Sequence, residues 1–336
     1  MGEMVSTAPG RINLLGEHMD YNNGLVMPCA IDRETQIIFE EGDDLNIYSE
    51  LCDDFATLKD RPVGWKSYVL GTYLEISKRY STMCIKGRIK SNIPIGSGLS
   101  SSASLEIATA LAVLKYRRAN PMNIAEICRR VEYRYADVKC GIMDQASVML
   151  SKEKRIFLLD CDDLSYTHIP FDAKIVIVES GTKHELSYSF YNERVNECKK
   201  AAELLGIKDL RRGWESGKNL EGLEGGIKKR ALHFYEEMDR VEKAKDVLRD
   251  GDLQGFGELM NESHLSLSKN FEVSTGVLDA IQKKLSSLCY GAKLTGAGFG
   301  GSVVGIFERG KEEKIREALK GYRNHFLESS RGAWFR

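Results

Sequence analysis

Asp144 stands in the run Cys140-Gly141-Ile142-Met143-Asp144-Gln145, an acid in an otherwise small and apolar stretch that continues Ala146-Ser147-Val148-Met149-Leu150. Burial pushes a carboxyl toward its neutral form unless a cation sits beside it, so an Asp that is to accept protons needs an arginine neighbour. Arg11 is the candidate partner. The plainer alternative makes Asp144 the cap of the helix running through Met149. A second group of polar residues lies in Ala8-Pro9-Gly10-Arg11-Ile12-Asn13-Leu14-Leu15-Gly16-Glu17-His18-Met19-Asp20-Tyr21-Asn22-Asn23-Gly24. Carboxylates and an imidazole on one loop suit a neutral polyol, because each accepts a hydroxyl and rejects an analogue that lacks it. A solvated polar turn is the alternative there.

The run Ile93-Pro94-Ile95-Gly96-Ser97-Gly98-Leu99-Ser100-Ser101-Ser102-Ala103-Ser104 could hold an anion. Glycines permit bends that turn successive backbone amides inward, and a helix starting near Ser100 would aim its positive end at the same place. A flexible linker before an ordinary helix is the competing reading. No Gly-Lys-Ser/Thr closes the run, and no acid follows at the spacing of a dinucleotide fold.

These groups need elements to hold them. Met83 to Lys90 alternates like a strand, and Leu105, Ile107, Ala108, Leu111, Ala112 and Leu114 continue as a mostly buried helix, which gives strand, glycine loop, helix. Thr35–Phe39 and Leu45–Tyr48 read as strands, Trp65–Lys78 as a helix, and Asn120-Pro121 as the cap and first residue of another. Asn22-Asn23-Gly24 is a hairpin-like turn, so the polar segment is expected to loop and return. Arg155–Leu159 and Lys174–Val178 are apolar strands on either side of the acidic turn Asp160-Cys161-Asp162-Asp163, where a domain junction is expected. Beyond it come helical patterns over Tyr188–Leu205, Lys228–Leu248 and through Phe256–Leu265, with Arg211–Gly226 a surface excursion. Strands Ala292–Thr295 and Ser302–Ile306 flank a second glycine-rich turn, Gly296-Ala297-Gly298-Phe299-Gly300-Gly301.

Composition narrows the partners. The 336 residues, 42% of them hydrophobic, suffice for two cores. With 48 basic and 49 acidic residues interspersed and a net charge of −1, nothing points to nucleic acid or an anionic membrane. A small-molecule partner is expected. The eight cysteines (29, 52, 84, 128, 140, 161, 198, 289) form no CxxC pair and read as reduced core residues. No signal core and no apolar stretch of membrane-spanning length is present, which leads to the expectation of a cytoplasmic protein.

Three segments, Gly10–Asn22, Pro94–Ala103 and Leu294-Thr295-Gly296-Ala297-Gly298-Phe299-Gly300-Gly301, stand in an order that resembles the galactokinase branch of the GHMP kinase superfamily. Cys140–Gln145, Tyr191-Asn192-Glu193-Arg194 and Phe256–His264 agree with it, so the likeness spans nearly the whole chain. It implies an α+β fold of two domains: 1–165, like ribosomal protein S5 domain 2, and 166–336, ferredoxin-like, with the active site between them.

The resemblance also implies ATP-dependent phosphorylation of the anomeric hydroxyl of galactose, with ATP and Mg²⁺ bound. Asp144 then matches the catalytic Asp and Arg11 its partner; Glu17, His18, Asp20, Gly141 and Tyr191 match sugar-binding positions. Gly96, Ser97, Gly98, Leu99, Ser100, Ser101 and Ser102 match the phosphate loop, Ser102 and Glu132 the magnesium ligands, and Trp65 and Tyr68 the adenine pocket. Without the resemblance, Glu132 reads as a solvated surface carboxylate and Trp65/Tyr68 equally as core. Met19, where relatives often carry a small polar residue, and Tyr133, where they often carry Asn or His, depart from the pattern, and the leading segment common in the family is expected to be missing. Kinases for N-acetylgalactosamine, arabinose or galacturonate, and a non-catalytic galactose sensor on the same scaffold, are the rival readings. A monomer or weak dimer is expected.

Overall fold

The computed structural model of the protein describes residues 3–94, 96–114, 119–182 and 187–336, so Ile95 of the glycine and serine run lies outside the description. The chain opens with β1 (Met4–Asn13), makes one 3-10 turn at Asp20–Asn22, and returns through β2 (Leu25–Val26) into β3 (Pro28–Glu41). Strand β3 runs antiparallel to β1 from Asn13 opposite Pro28 to Met4 opposite Phe39. The polar segment therefore does loop and return, with Asn23 in the left-handed conformation at its tip. Next come β4 (Asn46–Ser49), β5 (Asp54–Thr57), α1 (Trp65–Ser77), β6 (Ile85–Ser91), α2 (Ser101–Val113), α3 (Pro121–Tyr135), α4 (Met143–Leu150), β7 (Arg155–Asp160) and β8 (Tyr166–Pro170). The second half holds β9 (Lys174–Glu179), α5 (Ser187–Leu205), α6 (Leu210–Glu215), α7 (Gly225–Arg249), α8 (Leu253–Lys269) and α9 (Gly276–Ser286). It ends with β10 (Gly291–Thr295), β11 (Ser302–Phe307), α10 (Glu312–Ala318), β12 (Asn324–Leu327) and β13 (Trp334–Phe335).

Three sheets result, ordered β13-β1-β3-β6-β4-β5, β10-β11-β9-β12 and β2-β7-β8. Helix α2 lies on the first of them because its face is built of small residues. Ala103, Ala108, Ala110 and Ala112 are buried, Ser104 Oγ donates to the Ala8 carbonyl at 2.7 Å, and Ser6 Oγ donates to the Ala108 carbonyl at 2.8 Å. Helix α3 starts where Asn120-Pro121 dictates, the Asn120 side chain accepting from the Met122 and Asn123 amides.

Three local expectations change. The acidic turn 160–163 closes a hairpin, because β8, absent from the sequence reading, pairs with β7. The last strand, β13, also returns to β1, so the first sheet includes residues well beyond 165. Within the expected surface excursion at 211–226, α6 forms under an Asp209 cap and buries Leu210 and Gly213. The eight cysteines are free thiols, and among the described residues no helix is long and apolar enough to cross a membrane.

Candidate active site

The glycine and serine loop between β6 and α2 turns on three left-handed positions: Gly96 at φ 76°, Gly98 at φ 75° and Ser100 at φ 57°. Gly98 cannot be replaced without movement, since a Cβ there would stand 2.9 Å from the Thr295 carbonyl oxygen. The second glycine turn thus abuts the first. Helix α2 begins at Ser101, and its first turn has no side-chain cap, which leaves amide donors and the positive helix end for an anion. Ser100, at the cap position, turns its hydroxyl to Asp144 Oδ2 instead.

Asp144 is not a cap. It is the second residue of α4, and Arg11 from β1 meets it with a fork: Nε donates to Oδ1 at 2.7 Å and Nη2 to Oδ2 at 2.5 Å. Such bidentate pairing fixes a carboxylate in plane and direction. The third donor, Nη1, binds the Gly98 carbonyl at 2.7 Å, so one buried guanidinium orients both the acid and the anion loop.

Three residues of the polar loop crowd the same space. Asp20 packs against Gly141, where a Cβ would fall 2.3 Å from the Asp20 carboxylate, so only glycine lets the acid sit there. Burial, with the Asp144 charge adding to it, pushes the Asp20 carboxyl up to about 6. His18 adopts a left-handed backbone, and burial, with His233 next, pushes its imidazole down to about 3. It is neutral at physiological pH, sharing a 2.9 Å hydrogen bond with the Tyr21 hydroxyl and stacking near Phe271 and Tyr191 at centroid distances of 4.6 and 5.5 Å. Glu17 is almost fully buried, and burial raises its carboxyl while Lys293 opposes the shift. It accepts from Asn13 Nδ2 at 2.8 Å, from the Gly296 amide at 3.2 Å and from Lys293 Nζ.

Glu132 is not the solvated carboxylate that its place late in α3 suggests. It is 6% exposed, faces α2, and is pushed up to about 7 by burial, with the Ser102 hydroxyl bonding it and opposing the shift. One carboxylate and one hydroxyl are hard oxygen donors of the kind Mg²⁺ takes when nucleotide phosphates complete its shell. Among the described residues there is no cluster of three or more His, Cys, Asp or Glu that could hold a metal.

Arg11, Glu17, His18, Asp20, Gly96, Gly98, Leu99, Ser100, Ser101, Ser102, Glu132, Asp144 and Tyr191 line one open cavity of about 220 Å³. Gly141 lines an adjoining cavity of about 480 Å³ that shares Asp20 and Cys140. Ser97 is buried and lines neither, and Trp65 and Tyr68, on α1, are not among the lining residues of either. The sequence reading missed Lys293 and the site role of Gly296 and Ala297, which line the same cavity or meet its groups. A lone lysine inside an apolar strand was the available signal. It also missed Glu237, which accepts from the Gly16 amide and from Ser263 Oγ, both at 2.8 Å, and so holds the polar loop from behind.

The galactokinase galactose-binding signature matches residues 2–40, the GHMP kinases N terminal domain residues 67–152, and the GHMP kinases C terminal family residues 244–324. The galactokinase of Thermotoga petrophila is 38% identical over 95% of this chain and 94% of its own length. That of Pyrococcus furiosus is 35% identical over 95% and 93%. Among solved structures, Lactococcus lactis galactokinase complexed with galactose superposes with a TM-score of 0.90 at 29% identity, covering 99% of this chain and 95% of that one. Mevalonate kinase from Methanococcus jannaschii, at TM-score 0.73 and 23% identity over 98% of both chains, shares the fold.

Proposed function

The chain belongs to the galactokinase family of GHMP kinases, and on that premise we propose that it phosphorylates galactose at the anomeric hydroxyl with Asp144 as the base. It is an ATP-dependent galactose-phosphorylating enzyme. The observation that carries the assignment of Asp144 is the Arg11 fork, which aims this carboxylate into the cavity that the anion loop and the polar loop share.

Phosphoryl transfer asks mainly for positioning and charge neutralisation. The uncapped amides of α2 and the loop over Gly96–Ser101 receive the phosphates, and Ser102 and Glu132 would hold Mg²⁺. A cation held there would supply charge neutralisation for the transferring group. Asp144 takes the proton of the sugar's O1, the O1–phosphorus bond forms, and the bond to the bridging oxygen breaks, so that ADP leaves with the electron pair. Base help of this kind is worth about 10²–10⁴-fold. Asp20, Glu17, neutral His18, Tyr191 and the Gly141 backbone surround the remaining hydroxyls, and each misplaced hydroxyl that strands a buried partner costs roughly 1–3 kcal/mol. Trp65 and Tyr68 remain candidates for the adenine side only through the family resemblance. Eight free thiols suit a reducing, cytoplasmic setting.

A panel of galactose, N-acetylgalactosamine, arabinose and galacturonate with ATP and Mg²⁺, read as ADP release and as phosphate at C1 by phosphorus NMR, tests the reading. Galactose is expected to lead and galacturonate to trail; a preference for galacturonate, or phosphate at another carbon, would overturn it. Asp20 adds a pH signature. As a carboxylate it can accept sugar hydroxyls, and it is half ionised at about 6. Galactose KM is therefore expected to rise as pH falls below that value, and D20N to abolish the rise. The stability sign is opposite: a carboxyl held above its unfolded value stabilises the fold below pH 3.8 and loses that contribution as pH rises through about 6. D20N should accordingly melt higher than wild type at pH 8, as calorimetry would show.

A further inference from the structure

Lys293 lies in the middle of β10, where all five residues are buried. Its side chain is fully enclosed, and an ammonium there is tolerable only with charge and hydrogen-bond partners around it. Nζ donates to Glu17 Oε2 and, at 2.9 Å, to the Leu294 carbonyl. A second acid is close by: Glu237, also fully buried, raises the Glu17 carboxyl, and Arg240 answers Glu237 at 2.8 Å. Lys293 is thus the cation assigned to Glu17 from the other half of the chain.

The contact does more than cancel charge. Glu17 Oε1 accepts from the Gly296 amide, the first residue past β10, and Asn13 N donates to Thr295 Oγ1 at 3.1 Å. Gly296 in turn touches the anion loop, where its Cβ would stand 3.2 Å from Gly98 Cα. The polar loop, the second glycine turn and the anion loop therefore meet in one continuous set of contacts with Lys293 beneath it. We propose that Lys293 is a positioning residue for sugar recognition, acting through Glu17 to hold the polar loop against the second glycine turn. The proposal rests on the reading of Glu17 as a sugar-facing group.

Galactose, and separately a non-hydrolysable ATP analogue with Mg²⁺, are titrated calorimetrically into wild type, E17Q, K293M and the E17Q/K293M double variant, with a thermal midpoint for each. A displaced recognition group is costly, so K293M is expected to weaken galactose about 10- to 100-fold while the analogue stays within about threefold. The double variant carries no unpaired buried charge; it should regain the midpoint and still bind galactose weakly. If it regains galactose affinity together with the midpoint, Lys293 only cancels a charge and the proposal is overturned. Should K293M fail to fold, K293Q, whose shorter neutral side chain cannot reach Glu17, takes its place, and galactose affinity within about threefold of wild type in folded K293Q overturns the proposal. If E17Q binds galactose as wild type does, the reading of Glu17 falls and the proposal with it. If E17Q is weakened but K293M is not, only the role of Lys293 falls.

Discussion

D144N is expected to lose about 10²- to 10⁴-fold in kcat while keeping the fold and most of its galactose affinity, because the amide matches the carboxylate in shape and cannot take the proton. The local geometry sharpens the expectation. Arg11 donates to both carboxylate oxygens, and Ser100 Oγ donates to Oδ2 as well. An Asn offers one accepting oxygen and one donating NH₂ group, so one side of the fork meets a donor. Some stability is lost with that mismatch, and for this reason the check pairs ADP-release kinetics with calorimetric galactose binding and a thermal midpoint. Turnover within about threefold of wild type in a folded, galactose-binding variant would remove Asp144 as the base.

R11M should cost at least as much, and in a different pattern. Arg11 serves two parts at once, aligning Asp144 through two donors and fixing the Gly98 carbonyl through a third. Met approximates its length and supplies none of these donors. Both the base and the anion loop lose their anchor, so kcat/KM is expected to drop about 10²- to 10⁴-fold, with weaker ATP binding besides. Because the two residues act as a unit, R11M/D144N should fall little below the worse single variant, far short of the product of the two losses. Fully multiplicative losses in that double-mutant cycle would separate the residues. R11K should stay impaired: lysine restores the charge but not the planar fork.

Local rules made much of this protein legible. The Asn120-Pro121 start of α3, the strand before the anion loop, the returning polar segment and the second glycine turn all follow from short-range stereochemistry, and the structure has each of them. Small errors came where pairing is non-local. Strand β8 alternates weakly and exists because β7 needs a partner; β13 is two residues long and is a strand only against β1. Arg11 as the partner of Asp144 rested on charge logic and the family resemblance, since 133 positions separate the two and no spacing rule connects them.

The amino-acid sequence by itself determined which groups are available and in what local frames: a glycine and serine loop before a helix, a polyol-suited set of acids and a histidine on one returning segment, and an acid in apolar company. Those properties depend on backbone freedom, side-chain chemistry and periodicity, all encoded within a few residues. Tertiary structure alone decided what faces what. Glu132 lies at a helical position that usually meets water, and becomes buried against Ser102 only because α3 packs beside α2. Lys293 reads as a blemish in an apolar strand until the polar loop brings Glu17 to it, and Ser100 reads as a phosphate contact until α4 brings Asp144. Burial and charge pairing are properties of the assembled interior, where distant segments exclude water together, and no short stretch of chain contains that information.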